Sequence, residues 1–202
     1  MHYPRRFNIG NISTSETELR DLLKAWLVIS VAFALLFSKN VFAAGFYIRL
    51  AAAAVTVGTS FLLHELGHKI VAQKYGCLAE FRSFDSMLLL ALVMSYAFHF
   101  VFAAPGAVMI SGRVTKQRNG RISAAGPLVN LALALGFLVL SAASPSKIIG
   151  DVAAYGFSVN AWLALFNMIP FGLFDGAKIW RWNKLVYFSI AAAAASFMFI
   201  GR

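Results

Sequence analysis

The sequence predicts an all-α, polytopic membrane protein with about five transmembrane helices and one re-entrant, β-like membrane-associated segment. Three observations carry that expectation. Hydrophobic residues make up 60% of the 202 positions and charged residues 13%, with a mean hydropathy of +0.73; a soluble domain carries roughly 25% charged residues. The apolar excess is gathered into long blocks, the pattern of membrane-spanning helices. The 18 Lys and Arg residues, which set a formal charge of +10, flank those blocks instead of forming a stripe with interleaved aromatics. That distribution fits cytoplasmic anchoring and argues against nucleic acid as a partner.

The elements follow in order. Residues 1–21 are polar, and Thr14 with Glu16 and Glu18 reads as the start of an interfacial helix. Arg5 and Arg6 are followed by polar residues and not by the short apolar core and cleavage site of a signal peptide, so the first apolar block is expected to remain as an anchor. That block covers 22–44, with Lys39 and Asn40 near its far end. The second covers 46–75 and contains His64-Glu65-Leu66-Gly67-His68. A third, 87–104, is followed by Pro105-Gly106 and a polar segment reaching Ile122. The fourth, 124–143, opens with Gly126-Pro127; a fifth covers 148–169 and the last 185–200. No repeat or linker is visible. The chain reads as one domain, 1–202, with a catalytic core over 46–182 and a re-entrant segment over 84–122. The single cysteine, Cys77, excludes an internal disulfide framework and reads as a packing or loop residue.

Six spans are possible by counting blocks, but charge favours five. With Arg5, Arg6, Arg20 and Lys24 on the cytoplasmic side, the second block ends there at Lys69, Lys74 and Arg82. If 87–104 crossed the membrane, Arg113, Lys116, Arg118 and Arg121 would lie outside, as would Lys178, Arg181 and Lys184, against the positive-inside tendency. If it dips and returns, both clusters are cytoplasmic, leaving mainly Lys39, Arg49, Lys147 and Arg202 elsewhere. Non-helical backbone at that depth is allowed where protein covers it or it lines a water-filled cavity. Pro105-Gly106 and Gly112 suit turns in such a loop.

His64 and His68 stand at i and i+4, so on a helix both imidazoles can reach one metal ion. Glu65 lies beside that face, where it is expected to act as general base and acid instead of ligand. Glu65, one of eight acidic residues, stands inside a spanning block, and ionisable groups there are costly and functional by default. A catalytic zinc keeps three protein ligands and one open position, which leaves one ligand to find. Asp151 falls at the opposite membrane face. Glu80 and Asp85 lie on the correct side with nothing to aim them at the motif, and His99 remains a conceivable ligand. Asp175 follows a helix broken at Pro170 and Gly172, a break that can turn a carboxylate back toward a neighbouring helix. It is the best candidate, and it shares a side with the histidines only if an even number of crossings separates them, again the five-span layout.

At these residues a resemblance becomes specific. The HELGH pentapeptide, SAAGPLVN at 123–130 and FNMIPFGLFDG at 166–176 resemble the three motifs of the site-2 protease family of intramembrane metalloproteases. The resemblance implies that Asp175 is the third ligand of one Zn2+, that Asn167 positions substrate or stabilises the oxyanion, and that Gly126, Pro127 and Asn130 match a Gly-Pro helix start serving packing near the site. Phe174 and Ala177 depart from the family's Leu-Asp-Gly-Gly form without removing a ligand, and no insertion is long enough for a PDZ domain. The compact form resembles short archaeal and bacterial members.

The implied function is hydrolysis of peptide bonds within or near transmembrane segments of membrane-anchored, regulatory proteins. Its partners are then a transmembrane substrate and the lipid bilayer, with no nucleic acid; the sequence leaves the oligomeric state open. The implied location is a prokaryotic cell membrane, with the N-terminus and the active-site opening toward the cytoplasm. Two rivals are a prenyl-protein-processing zinc protease, whose third ligand is a Glu for which no suitably placed residue follows, and a non-catalytic membrane metal-binding or transport protein, for which paired half-helices or repeats are lacking. Minor features have simpler readings. The phenylalanines read by default as lipid contact and core packing, while the alternation of Phe98, Phe100 and Phe102 favours an extended segment that could pair with a substrate strand through its edge; Ala191–Ala195 marks close helix packing, and Lys69 and Lys74 are expected to snorkel to headgroups.

Overall fold

The computed structural model describes residues 6–36, 38, 41–42, 44–101 and 105–200. Arg5, Lys39, Asn40, Phe102 and Arg202, all used above, lie outside them. The described chain is mostly helical, with two small sheets, and its packing forms two compact units. One is built from described residues of Met1–Leu62 and Leu78–Ile110, the other from Leu63–Cys77 and Ser111–Arg202.

The first unit opens with a hairpin that the sequence reading did not anticipate. Strands β1 (Arg6–Ile9) and β2 (Ile12–Ser15) pair antiparallel with Ile9 opposite Ile12. The two-residue turn is therefore Gly10-Asn11, with Gly10 at φ +59, a conformation suited to a tight hairpin. Helix α1 (Glu16–Leu36) follows. Its cap is Ser15, one residue after the expected Thr14: the Glu18 amide donates to Ser15 Oγ at 3.2 Å, which satisfies an orphan donor of the first turn. The Glu18 carboxylate is fully buried and accepts from Thr14 Oγ1 at 2.8 Å and from the Phe81 amide at 2.9 Å. A small core of Ala25, Phe81 and Leu88 with Leu22, Phe61 and Val108 packs beside it.

Helix α2 (Ala44–Ala53) runs through one π-helical turn (Ala54–Gly58) into α3 (Thr59–Lys74). In the π turn the Thr59 amide donates to Ala54 O, and Trp26 Nε1 and Thr59 Oγ1 donate to the same oxygen at 3.0 Å. Gly58 makes room for that indole, since a Cβ there would stand 2.7 Å from Trp26 Cδ1.

Strand β3 (Leu78–Ser83), helix α4 (Asp85–Phe98) and strand β4 (Gly106–Ser111) come next, with β3 and β4 hydrogen-bonded as one sheet. The Phe84 amide donates to Pro105 O at 3.0 Å, so the chain leaves and re-enters at one place. Gly106 is a strand residue, not a turn: a Cβ would meet Phe81 Cζ at 2.3 Å. The expected extended run at Phe98 is corrected, because Phe98 is the last helical residue of α4 and His99 caps it in the left-handed region at φ 51.

In the second unit, α5 (Lys116–Ala143) begins eight residues before the expected block. Thr115 accepts the Arg118 amide at 3.2 Å and caps the helix, so charged side chains at 116–121 ride on its first turns. Gly126-Pro127 is consequently not a helix start but lies well inside α5. Helix α6 (Lys147–Asn167), the short α7 (Asp175–Trp182) and α8 (Lys184–Ile200) complete the unit. Ala124, Met168, Ile179 and Ile190 form its core with Leu131, Trp182, Val186 and Tyr187 around them.

Three helices among the described residues are long and apolar enough to cross a membrane: Gly45–Lys74, Lys116–Ala143 and Lys147–Asn167. These make the chain a membrane protein. Helix α1 is not one of the three, because Glu16, Glu18, Arg20, Asp21 and Lys24 occupy its first half. Snorkelling of Lys69 is corrected as well: its side chain is among the fully buried ones, whereas Lys74 is exposed.

Candidate metal centre

Helix α3 carries His64 and His68 one turn apart, and their rings stand nearly perpendicular at 86° with centroids 4.7 Å apart. The two Nε2 atoms are 3.1 Å from each other. Asp175, the first residue of α7, brings Oδ2 to 3.0 Å from His68 Nε2 and 3.4 Å from His64 Nε2. Three atoms thus form a triangle with sides of 3.0–3.4 Å. A tetrahedral ion with metal–donor bonds of roughly 2.0–2.1 Å holds its donors about 3.3 Å apart, so the triangle matches the donor edge of such a site. Glu65 adjoins it: the ligand atoms of His64, Glu65 and His68 all lie within 4.8 Å of one another. All four side chains are buried.

The hydrogen bonds behind the rings decide what the triangle can hold. His68 Nδ1 faces Ile122 O at 2.8 Å; a carbonyl only accepts, so Nδ1 carries the proton. For His64 the same answer comes through two asparagines. Asn160 Nδ2 donates to Gly156 O at 2.8 Å, which turns Asn160 Oδ1 toward Asn130 Nδ2 at 3.0 Å. Asn130 Oδ1 therefore faces His64 Nδ1, at 2.5 Å, and must accept from it. Both neutral rings present Nε2 lone pairs to the Asp175 carboxylate, and three acceptors converge on one point. A cation satisfies all three at once, and the backing bonds fix tautomer and ring orientation as in metal-ligating histidines generally. Asp175 adds a carboxylate oxygen to the two ring nitrogens, and the ionised carboxylate is the form that binds metal.

Local sequence explains how these atoms meet. Gly126 passes directly in front of the rings: a Cβ would lie 2.4 Å from His68 Nε2 and 2.5 Å from His64 Nε2. Any side chain there would fill the space between the ligands. The turn after α6 uses Gly172 at φ +65, and Gly176 allows α7 to abut the carbonyl of Met168, 2.3 Å from where a Cβ would be. Buried Ile179 then seats α7 in the core. Lys178 Nζ meets the second Asp175 oxygen, Oδ1, at 3.4 Å.

The structure brings His64, Glu65, His68 and Asp175 together. It leaves the weaker candidates engaged elsewhere. Glu80 pairs with Arg6 at 3.1 Å and with Arg82 at 2.5 Å, Asp85 with Lys24 at 2.5 Å, and His99 caps α4. Exposed Asp151 sits in the first turns of α6, about 24 Å along the helix from Asn167 at 1.5 Å per residue. Asn167 ends α6, half-buried, with its amide donating to Leu163 O at 3.0 Å. The sequence reading missed Asn160 altogether and took Asn130 for a packing residue. The available signal was their cost: two amides inside apolar helices need partners.

These features define a helical membrane protein with a buried His-His-Asp group that could hold a metal ion. The chain is similar to known proteins. "Putative zinc metalloprotease MJ0611" of Methanocaldococcus jannaschii is 38% identical over 186 residues, covering 91% of this chain and 94% of that protein. "Zinc metalloprotease MJ0392" of the same organism is 34% identical over 123 residues, 60% of this chain and 31% of that one. "Putative zinc metalloprotease Rip3" of Mycobacterium tuberculosis is 31% identical over 135 residues, 65% and 30% respectively. No family model and no solved structure matches. The chain belongs to this family of zinc metalloproteases, consistent with the site-2 protease resemblance of its motifs.

Proposed function

We propose that the chain is an intramembrane-cleaving zinc endopeptidase that hydrolyses peptide bonds within or near transmembrane segments of membrane-anchored regulatory proteins. The observation that carries this reading is the convergence of His64 Nε2, His68 Nε2 and Asp175 Oδ2 on a helix apolar enough to span a bilayer. In this reading those three residues hold one zinc ion. When bound, zinc supplies Lewis acidity, polarising a carbonyl and bringing a water's pKa to about 7. Glu65, beside the ligands, takes a proton from the attacking water and later gives it to the leaving amine. Asn167 donates a hydrogen bond to the oxyanion; one of its two N–H groups goes to Leu163 O, and the other serves the oxyanion. The substrate helix must unwind locally, because its own hydrogen bonds shield the scissile carbonyl and amide.

The five-span layout belongs to the same reading. It adds α1 and the 17-residue α8 to the three long apolar helices. Helix α4, with 14 residues, is about 21 Å long and short of a hydrocarbon core of about 30 Å. The pairing of β3 with β4 on either side of it supports a segment that dips and returns. The N-terminus and the site's opening then face the cytoplasm of a prokaryotic cell.

The test is purified chain with a membrane-anchored reporter, with and without a zinc chelator, beside Glu65→Gln. Cleavage that chelation stops and Glu65→Gln abolishes, with zinc still bound, is the expected result. Cleavage by Glu65→Gln at the wild-type rate contradicts the role of Glu65.

A further inference from the structure

Beside the metal centre, the second unit carries a cleft of about 500 Å³ lined by Val114, Lys116, Asn119, Lys178, Trp180, Arg181 and Lys184. We propose that this cleft binds the phosphate headgroup of an anionic lipid, and that its occupant acts on the metal centre through Lys178. Four cations and no carboxylate line it. Lys116, Arg181 and Lys184 are exposed, and among the described residues none of the three pairs with a carboxylate. Four like charges around one volume repel, and an anion seated among them relieves that repulsion.

The surrounding helices identify the source of the anion as a lipid. Helix α8 begins at Lys184 and carries no further charge to Ile200; α5 is uncharged from Ile122 to Ala143. The cleft therefore lies where two apolar helices begin, the depth of headgroups. Helix α7 between them buries Gly176, Ala177 and Ile179 and turns Lys178, Trp180 and Arg181 to the cleft. Cations and tryptophan on the outer face of a short amphipathic helix are the composition of an interfacial element. Lys184 already lies over the Trp180 ring, 5.0 Å from its centroid.

Lys178 belongs to both sites. Its Nζ stands 3.4 Å from Asp175 Oδ1 while Asp175 Oδ2 faces the histidines. A phosphate in the cleft draws the ammonium's charge toward itself and leaves the carboxylate a stronger donor to a cation between the rings. This second clause rests on the zinc-site reading above; the lipid clause does not.

Lipid retention by the purified full chain is measured by native mass spectrometry, with phosphatidylglycerol and phosphatidylcholine offered together. Phosphatidylglycerol is expected to be retained on the order of a hundredfold in preference, the equivalent of about 1 kcal/mol for each of the three exposed cations. The preference should vanish in Lys116→Gln/Arg181→Gln/Lys184→Gln and persist in Lys147→Gln, at the N-terminus of α6; Lys184→Glu alone should weaken it if the triple variant does not fold. Equal retention of the two lipids, or a preference that survives the triple substitution, overturns the proposal, as does displacement of phosphatidylglycerol by inorganic phosphate. In vesicles, zinc release to a chelator should be severalfold slower with phosphatidylglycerol than with phosphatidylcholine alone, and Lys178→Gln should remove the difference. Equal release rates in wild type overturn the coupling. Retention is read without zinc or cleavage, so its failure leaves the protease reading standing, and a failure of the protease reading leaves retention intact.

Discussion

Glu18 in the first unit and Asp175 in the second are both buried carboxylates, and they are satisfied in different ways. Glu18 in the first unit accepts from a hydroxyl and a backbone amide, Thr14 Oγ1 and the Phe81 N–H. Asp175 in the second faces two imidazole nitrogens whose protons are committed behind the rings, to Ile122 O and Asn130 Oδ1. The first arrangement ties the β1–β2 hairpin and α1 to strand β3 with donors of the protein's own. The second gathers acceptors and calls for a cation. Burial of a carboxylate alone does not mark a metal site; the hydrogen-bond direction of its neighbours does.

Four substitutions break or sharpen that contrast, from the largest expected effect on zinc to none. Gly126→Ala puts a methyl within 2.5 Å of the ligand nitrogens. It should abolish stoichiometric zinc binding by elemental analysis while far-UV circular dichroism keeps the helical signal. Asn130→Ala removes the acceptor of the His64 Nδ1 proton and a donor to the Asn160 carbonyl; loss of such a backing bond costs roughly 10–100-fold in metal affinity, measurable by chelator competition. Asn160→Ala acts one bond further back and should lower zinc affinity less than Asn130→Ala. It should also cost about 1–3 kcal/mol of stability for the unpaired buried amide, visible as a lower thermal midpoint. Glu18→Ala orphans the Phe81 amide in the other unit. It should cost a similar amount of stability, about 1–3 kcal/mol, with zinc stoichiometry unchanged. Equal zinc loss in Glu18→Ala and Asn130→Ala would erase the contrast.

Much of the site was legible in the sequence, because its information is local. His64 and His68 announce themselves by helical spacing, and Asp175 by the Pro170 and Gly172 break before it. Helices α6 and α8 followed from long, mainly apolar runs. Less legible was whatever depends on partners far along the chain. Asn130 and Asn160 are 30 positions apart and look like packing residues until the helices that bear them are side by side. Gly126 reads as a helix start from its neighbour Pro127, yet the helix begins at the Thr115 cap and the glycine instead clears space for the rings. Two other departures have short-range causes that were open to reading. Gly10-Asn11 is a hairpin turn signal between short strands, and Ser15 with Glu18 is a capping pair. Burial of Lys69 had no local signal, since a lysine after an apolar helix ordinarily reaches for water.

The central claim is that His64, His68 and Asp175, and not Glu65, hold one zinc ion. The most direct test is zinc stoichiometry, by elemental analysis, of wild type, Glu65→Gln and Asp175→Ala purified side by side. The account predicts one zinc per chain in wild type and in Glu65→Gln, and strongly reduced zinc in Asp175→Ala. Full zinc in Asp175→Ala, or its loss in Glu65→Gln, would contradict it.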